Sequence, residues 1–398
     1  GWTALLLSED EIKTLLKNNF GNAKLIQWKY KEFDEKNIGY LGDHIKLLLQ
    51  VEDHGANEIP LFVKCMPRND EGKSEYLKEM KYFKKEYVML SKNKWRPKLL
   101  YIREDLFVFE DVNQQGYKMP HYRDTMPIDE IKATVKALAR FHAASYIHEE
   151  RNSKKLGKPY RIWEDYKQYL QEPSQTEWRD IGEKAIKDFL KVFSKYKSIP
   201  KFEQKLDTTI RKLFIGAWFL MQPSNEYRNV VVHRDLWTNN IFIRHQANGP
   251  HILFVDFQTV LYSSPMLDLT SLLYFNTNKA DRKKFGEEFI NIYYDALRSY
   301  LDEHDIDIND IFKKDVLLKS YKESVVFGMT QASLIVPTTA MDSKRKEEIF
   351  CNPDRIVKVT MESRSEDFIE TAQNDIDYRN RVLDLLDDIV ETFVLDDF

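Results

Sequence analysis

The sequence predicts an α+β protein with a small antiparallel sheet in its N-terminal part and a large, mainly helical C-terminal part. Two observations predict this arrangement. Short strand-like apolar runs dominate residues 25–112, whereas helical apolar spacing dominates from residue 127 onward, with strand-like runs only near residues 230–255. At 398 residues, the chain is long enough to form two lobes. We expect residues 1–112 to form the first lobe and residues 113–398 the second.

Composition and charge exclude several classes of protein. The 60 Lys and Arg residues nearly balance the 64 Asp and Glu residues, for a formal net charge of −4, so the chain has no general positive field for nucleic acid. Hydrophobic residues make up 42% of the chain and charged residues 31%, as in an ordinary globular protein. Because no run of 18 apolar residues occurs, we expect no membrane span. No obligate protein partner is indicated.

The two cysteines, Cys65 and Cys351, are far apart in the chain. They indicate neither a disulfide framework nor a cysteine-based zinc site. The first residues lack the basic and apolar regions of a signal peptide. We therefore expect a protein of a reducing compartment, the cytoplasm.

The N-terminal residues predict a helix and then a turn between two strands. Ser8–Glu11 forms a capping box ahead of apolar residues at helical spacing, and Gly21 ends the helix. Further on, Asn37–His44 has the spacing of the glycine-rich loop of kinases, G-x-G-x-x-G-x-V, with asparagine at the first glycine. Gly39 and Gly42 would let the backbone approach the phosphates of ATP closely. A plain hairpin turn accounts for these residues equally well.

Pro60–Cys65 is a short apolar strand that carries one lysine, as the V-A-I-K strand of kinases does. A lysine at this place pairs with the α- and β-phosphates of ATP and with a glutamate of the following helix. We therefore assign Lys64 to the phosphates and prefer Glu86 to Glu79 as its partner. Ordinary surface residues are the alternative, because Lys and Glu are abundant here.

Leu106–Val112 is predicted to be a buried strand that turns polar at its end. In the layout of a kinase this segment is the hinge between the lobes, and its backbone N–H and C=O groups bind the adenine. Glu110, Asp111 and Val112 mark the position of that hinge.

A helix is predicted from Pro127, which suits a first helical position, to about His148. His142 lies on its apolar face, and we expect a hydrogen-bonded core residue there and not a metal ligand. Residues 150–228 continue with helical patterns rich in aromatic side chains. These aromatic residues are predicted to belong to the core, and a pocket for a large acceptor is the alternative.

A polar loop follows the short predicted strand Val230–Val232. Its sequence, from His233 to Asn240, matches the catalytic loop H-R-D-L-x-x-x-N of kinases at every fixed position. In that pattern the aspartate is the catalytic base and the asparagine binds a metal ion, which assigns Asp235 and Asn240. Turn formation is the alternative role for such residues.

Two apolar runs, Ile241–Ile243 and Ile252–Val255, flank an Asn-Gly pair that begins at Asn248. This combination is a strong signal for a β-hairpin. In an antiparallel ladder centred on the turn, Asn240 lies roughly opposite Asp256. The Asp-Phe pair that begins at Asp256 stands where the D-F-G metal ligand of kinases is expected. We therefore predict one metal site that includes both residues.

These residue types suit phosphoryl transfer from ATP. The protein mainly positions groups and neutralises charge in this reaction, so it needs an aspartate to orient and deprotonate the attacking hydroxyl, and oxygen ligands for Mg²⁺. Asp235 has the first role, and Asn240 and Asp256 have the second. ATP and Mg²⁺ are therefore the expected cofactors.

The segment after Asp256 is short and lacks an A-P-E sequence, which leaves little room for the activation loop of a protein kinase. Trp237 also differs from the lysine of a serine/threonine kinase. A helix begins near Pro265, and Asp268 in its first turn either braces the catalytic loop or caps the helix. Residues 281–398 are predicted to be helical.

The chain resembles the insect ecdysteroid kinase-like family, which belongs to the clan of choline kinases and aminoglycoside phosphotransferases. The blocks that carry the resemblance are His233 to Asn240 with Trp237 and the paired Asn239-Asn240, Asp256-Phe257-Gln258, Pro265 to Asp268, Lys64, Phe83 to Glu86, Glu110-Asp111 and Ala139 to Ala143. The likeness therefore covers most of the chain. Arg234 departs from the glycine that usually follows the loop histidine, without removing a catalytic group.

The resemblance implies a two-lobed, protein-kinase-like fold that uses ATP and Mg²⁺ to phosphorylate a small-molecule alcohol. An ecdysteroid, a related steroid or a foreign hydroxyl compound is the expected acceptor. One alternative is an acceptor of the choline or aminoglycoside type, which needs an acidic pocket for a cation. Another is a non-catalytic binding protein for a hydrophobic hormone, although the intact Lys64, Asp235, Asn240 and Asp256 argue against it. A protein kinase is the third.

Overall fold

The computed structural model describes residues 6–32, 43–66, 99–103, 105–120, 123–172 and 176–395. The chain divides into two compact units. The sheet unit comprises Gly1–Lys118, Phe242–His245 and Leu253–Thr259, and the helical unit comprises Met119–Ile241, Gln246–Ile252 and Val260–Phe398.

Five antiparallel strands form the sheet of the sheet unit, in the order β1-β2-β3-β5-β4. They are β1 (Lys24–Lys31), β2 (Asp43–Glu52), β3 (Ala56–Cys65), β4 (Leu99–Arg103) and β5 (Leu106–Glu110). The alternation predicted for β2 is confirmed, because Ile45, Leu47 and Leu49 are buried and alternate residues of a strand share one face. This face forms part of the core of the unit.

Helix α1 (Glu9–Asn19) has the capping box that the sequence predicts. The Ser8 hydroxyl accepts a hydrogen bond from the backbone N–H of Glu11 at 3.2 Å, and the Glu11 carboxylate accepts one from the backbone N–H of Ser8 at 3.3 Å. These bonds satisfy amides that have no partner inside the helix. Ile12 and Leu15 are fully buried in the same core as strand β2. The helix therefore packs on the sheet.

The described part of the helical unit is mostly α-helical. Its helices are α2 (Ile128–Leu156), α3 (Ile162–Tyr166), α4 (Glu177–Phe193), α5 (Phe202–Leu220), α6 (Met266–Asn276), α7 (Lys279–Asp302), α8 (Lys314–Thr339), α9 (Ser343–Phe350), α10 (Pro353–Met361), α11 (Ser365–Asn374) and α12 (Ile376–Ile389). The predicted fold class, with an antiparallel sheet in the N-terminal part and a mainly helical C-terminal part, is confirmed.

Helix α2 is longer than the sequence predicts. Its predicted end lies near His148, but the helix continues to Leu156 and stops at Gly157, whose φ is 66°. The extension contains the buried Glu149, which connects the helix to other segments of the unit. Its carboxylate accepts a hydrogen bond from the backbone N–H of Ile162 at 2.8 Å and pairs with Arg228 at 3.1 Å. Burial raises the pKa of Glu149, and these polar partners offset the cost of burying the carboxyl group.

Helix α6 lies inside the core of the helical unit, since every one of its residues is buried. Gly328 of helix α8 allows the two helices to approach closely. A Cβ atom at this position would lie 2.7 Å from the Cβ of Thr270 and 2.8 Å from its carbonyl carbon. The single charged residue of α6, Asp268, is 0% exposed. The tight packing therefore holds a carboxylate at a well-defined place in the core.

Two short pairs of strands flank the polar loop. Strand β6 (Val230–Val232) pairs with β9 (Leu261–Ser263) in antiparallel register. Strands β7 (Ile241–Gln246) and β8 (Gly249–Phe254) form the other pair. Only two residues connect β7 to β8, and the φ of Gly249 after them is 109°. The predicted hairpin is therefore confirmed.

Among the described residues, no single helix is long and apolar enough to cross a membrane. Helices α8 and α9 meet the length and composition criteria only when they are taken together, and the chain bends by 98° between them.

Candidate active site

Asp235 lies in the loop between strand β6 and a short 3-10 helix, Thr238–Asn240. Its backbone N–H donates to Nδ1 of His233 at 3.2 Å. His233 and Leu236 on either side of the loop are fully buried, whereas Asp235 is half-buried. These two buried residues therefore fix the loop on both sides of Asp235 and leave the aspartate partly accessible.

The side-chain amide of Asn240 has a fixed orientation. Its Nδ2 donates to the backbone carbonyl of Asp235 at 2.7 Å, and its backbone N–H donates to the carbonyl of Trp237 at 2.9 Å. The residue is 1% exposed, and its Oδ1 has no hydrogen-bond partner within the described part of the chain. A buried carbonyl oxygen without a partner is costly.

The Asn240 oxygen therefore suits a bound cation. Mg²⁺ prefers oxygen ligands, and it usually takes only one or two of them from the protein and the others from water and substrate phosphates. In the described ranges, no three or more His, Cys, Asp and Glu side chains lie where they would hold a metal ion together. The predicted ligands, one amide oxygen and one carboxylate, are of the types that fit Mg²⁺.

Asp268 braces the loop from helix α6. Its Oδ2 accepts a hydrogen bond from the backbone N–H of His233 at 2.8 Å, and its Oδ1 accepts one from the backbone N–H of Arg234 at 2.6 Å. The sequence left open whether Asp268 braces the loop or caps the helix, and these bonds decide for the brace. One buried carboxylate thus binds the backbone N–H groups of both residues that precede Asp235.

His142 of helix α2 supports this carboxylate, as a hydrogen-bonded core residue. Its Nε2 lies 2.7 Å from Oδ2 of Asp268, and its Nδ1 lies 2.7 Å from the hydroxyl of Tyr293 on helix α7. A carboxylate only accepts, so Nε2 carries the proton. Burial raises the pKa of Tyr293 well above its ordinary value, so its hydroxyl keeps its proton and donates to Nδ1. The loop is therefore connected to three helices, α6, α2 and α7, through one chain of hydrogen bonds.

We expect Asp268→Ala to lower both the stability of the protein and its turnover. The change leaves two backbone N–H groups of the loop and the His142 ring without their acceptor in the core. Breaking a buried charged network costs on the order of 3–5 kcal/mol, which urea unfolding monitored by circular dichroism will measure.

Asp307→Ala is the matched control for this variant. Asp307 also accepts a backbone N–H, that of Asn309 at 2.9 Å, but at an exposed loop. We expect a loss of about 1 kcal/mol or less, as for an exposed cap. Equal losses in the two variants would contradict the bracing role of Asp268.

Lys64 and Asp256 form an ion pair within the sheet unit. Nζ of Lys64 lies 3.2 Å from Oδ1 of Asp256, and the two side chains are 4% and 9% exposed. The φ of Asp256 is 63°, a left-handed conformation that Asp and Asn adopt more readily than most other residues. The structure thus brings together the lysine assigned to the phosphates and a carboxylate assigned to Mg²⁺.

The predicted hinge residues follow one another at the end of the sheet. Glu110 ends strand β5 opposite Leu61. Asp111 caps a 3-10 helix, and its Oδ1 accepts a hydrogen bond from the backbone N–H of Asn113 at 3.0 Å. The Val112 carbonyl accepts one from the N–H of Tyr117 at 3.2 Å. The role of this segment in binding adenine stays a prediction.

Several predicted site residues lie outside the described ranges. These are Gly39 and Gly42 of the glycine-rich loop and both candidates for the lysine partner, Glu79 and Glu86. Asn240 belongs to the helical unit and Asp256 to the sheet unit. That both bind one metal ion therefore also stays a prediction.

The sequence reasoning missed one residue of the loop environment, Glu172. Its carboxylate pairs with the guanidinium of Arg234 at 2.7 Å, and both side chains are buried. A buried arginine requires a counter-charge, so the position of Arg234 just after the apolar run Val230–Val232 was a signal for a partner. The sequence contains 64 acidic residues, and this signal does not indicate which of them pairs with Arg234.

A family model described as the ecdysteroid kinase-like family matches residues 39–305. This range is more than half of the chain and includes the polar loop and the hairpin. The chain belongs to the ecdysteroid kinase-like family. Membership confirms the resemblance on which the sequence interpretation was based, and it supports a small-molecule phosphotransferase.

This ecdysteroid kinase-like protein also has remote likenesses among solved structures. An ethanolamine kinase from Plasmodium vivax is 13% identical with a TM-score of 0.40, over 95% of this chain and 83% of that chain. A choline/ethanolamine kinase family protein from Mesorhizobium loti is 11% identical with a TM-score of 0.38, over 96% and 97%. A macrolide 2'-phosphotransferase type I is 13% identical with a TM-score of 0.37, over 89% and 97%. The comparison with curated proteins finds no match.

Proposed function

We propose that this protein is a Mg²⁺- and ATP-dependent kinase that phosphorylates a hydroxyl group of a small lipophilic molecule, an ecdysteroid or a related steroid or foreign alcohol. The observation that carries the proposal is the orientation of Asn240. Its amide nitrogen donates a hydrogen bond to the backbone carbonyl of Asp235, the residue assigned as the base. Its buried amide oxygen has no hydrogen-bond partner in the described part of the chain and is available to a cation. A turn-forming asparagine has no need to keep a buried oxygen without a partner.

Each polar residue of the site has a proposed role. Asp235 orients the acceptor hydroxyl and takes its proton, and Lys64 binds the phosphates. Asn240 and Asp256 hold Mg²⁺, which would neutralise charge on the phosphates when it is bound. Gly39 and Gly42 would cover the nucleotide, Glu86 would hold Lys64, and the backbone at residues 110–112 would bind adenine. Residues 1–112 are the proposed ATP-binding lobe.

In the proposed step, the hydroxyl oxygen of the acceptor attacks the γ-phosphorus of ATP. A bond forms between these two atoms, and the bond from the γ-phosphorus to the bridging oxygen breaks. The proton of the hydroxyl passes to the Asp235 carboxylate, and ADP leaves with the electron pair. The protein contributes by positioning the groups and by neutralising charge.

A lipophilic acceptor is supported by the surroundings of the loop. Trp237, two residues after Asp235, is half-buried and packs against the main apolar cluster of the helical unit. A flat indole ring next to the base offers apolar contact area for a ring system. The family description names ecdysteroids. These compounds are alcohols with an apolar fused-ring skeleton, which suits contact with an indole ring.

The experiment that tests the proposal is an acceptor screen. The purified protein is incubated with ATP and Mg²⁺ and with a steroid polyol, a foreign phenol or alcohol, choline or an aminoglycoside. Mass spectrometry then detects a product heavier by one phosphoryl group, and Asp235→Asn protein under the same conditions gives the background.

We expect phosphorylation of a steroid or foreign alcohol that depends on Asp235. A product from choline or the aminoglycoside alone would instead assign the cationic class of acceptor. Binding of a steroid without any transfer would favour a non-catalytic hormone-binding protein. Phosphorylation of an added protein, but of no small molecule, would overturn the proposal in favour of a protein kinase.

We also propose the cytoplasm as the compartment. Neither Cys65 nor Cys351 forms a disulfide, as expected for a protein that works under reducing conditions.

A further inference from the structure

Arg234, the residue directly before the proposed base, is held at three points. Its backbone N–H donates to Oδ1 of Asp268 at 2.6 Å. Its Nη1 donates to Oε2 of Glu172 at 2.7 Å and lies 3.5 Å from the sulfur of Met221. The side chains of Arg234 and Glu172 are 5% and 4% exposed. A pair this deeply buried is barely screened by solvent or salt.

The backbone of Arg234 is in an unfavourable conformation. Its φ is 76°, in the left-handed region where a long side chain is strained and only glycine is at ease. Such strain persists where the surroundings over-determine the conformation. Asp268 holds the peptide group and Glu172 holds the far end of the side chain, so the two carboxylates together keep residue 234 in place.

We propose that Glu172 is a positioning residue for the proposed catalytic loop. Glu172 binds the guanidinium of Arg234 and so holds residue 234 in the left-handed conformation. That conformation sets the direction in which the side chain of Asp235 projects from the loop. The inference rests on the proposed function, because it assigns Glu172 to the same reaction. Glu172 itself does not take part in the chemistry.

Glu172→Gln is the first test variant. It keeps the shape of the side chain and removes the charge that Arg234 requires in the core. We expect kcat to fall about tenfold or more, because a small misplacement of a catalytic group has an effect of this size, whereas the KM for ATP changes less than about threefold. We also expect hydrogen exchange in residues 230–240 to become about tenfold faster, since the loop opens more readily.

Arg234→Gly provides the second half of the test. Glycine adopts a φ of 76° without strain. In the Glu172→Ala/Arg234→Gly double variant both the carboxylate and the guanidinium are removed, so neither is left buried without its partner. We expect the double variant to recover slow hydrogen exchange in residues 230–240 and a kcat within about threefold of wild type. This kcat is expected to be well above that of Glu172→Ala or Arg234→Gly alone, because the effects of substitutions at contacting residues are not additive.

Glu183→Gln is the matched control. Glu183 is another mostly buried glutamate of the helical unit, and it pairs with Arg211 at 2.8 Å away from the loop. This variant is expected to lower the melting temperature but to leave kcat and the exchange of residues 230–240 unchanged.

Hydrogen exchange separates failure of this inference from failure of the proposed function. Wild-type exchange in residues 230–240 of Glu172→Gln protein overturns the positioning role whether or not the enzyme turns over. A double variant that is no better than Glu172→Ala also overturns it. If the wild-type protein phosphorylates no alcohol, the proposed function fails, and the exchange data still decide whether Glu172 positions the loop.

Discussion

Asp235→Asn is expected to lower the rate of phosphoryl transfer by about 10³-fold, within the range that general bases contribute. The amide of asparagine cannot take the proton of the acceptor hydroxyl. The change keeps the size of the side chain, and the backbone carbonyl that accepts from Asn240 at 2.7 Å is untouched. Binding of ATP should therefore stay within about threefold of wild type, because the lost interaction is made in the transition state.

Initial rates at saturating ATP, together with calorimetric titration of ATP, will measure the two quantities. Asp295→Asn is the control, since Asp295 pairs only with the exposed Arg298 on helix α7 in the described structure, and it should behave as wild type. A near-normal rate in Asp235→Asn protein would remove Asp235 from the role of base. A large loss of ATP affinity would instead assign it to nucleotide binding.

Asp256→Asn is expected to abolish most of the increase in ATP affinity that Mg²⁺ produces. The amide keeps one oxygen ligand but loses the charge that attracts the cation. It also replaces the carboxylate that pairs with the amine of Lys64, whose side chain is 4% exposed, by an uncharged amide. Removing one member of a buried ion pair costs on the order of 3–5 kcal/mol, so the melting temperature should fall as well.

Asparagine is the informative substitution at this position because of the backbone. The φ of Asp256 is 63°, which asparagine tolerates and alanine does not. Asp256→Ala adds a backbone cost of about 1–2 kcal/mol and should therefore melt lower than Asp256→Asn. Titrations of ATP with Mg²⁺ and with EDTA measure the metal-dependent part. An unchanged effect of Mg²⁺ in Asp256→Asn protein would exclude Asp256 as a ligand.

Much of the local structure could be predicted from the sequence, because the signals act over a few residues. The capping box at Ser8, the alternation in strand β2 and the Asn-Gly hairpin turn were all confirmed by the structure. Helix α2 shows the limit of such reasoning. Its last turns include the buried Glu149, whose partners Arg228 and Ile162 are 79 and 13 residues away.

In the polar loop, too, some features could be predicted from the sequence and others could not. The order of residues by itself led to the family, and it predicted which side chains would carry the chemistry, since Asp235, Asn240 and Asp256 occur at the spacing of a kinase loop and its following hairpin. Only the tertiary structure decided what Asp268 and Glu172 do. Each of them acts on a loop residue 34 or 62 positions away in the chain.

The physical reason is the range of the interactions. Turns, caps and periodic faces are fixed by neighbours in the sequence, so a pattern is enough to predict them. A buried charge is stabilised by whichever partner the packing of distant elements brings within about 3 Å, and the pattern of one segment contains no information about that choice.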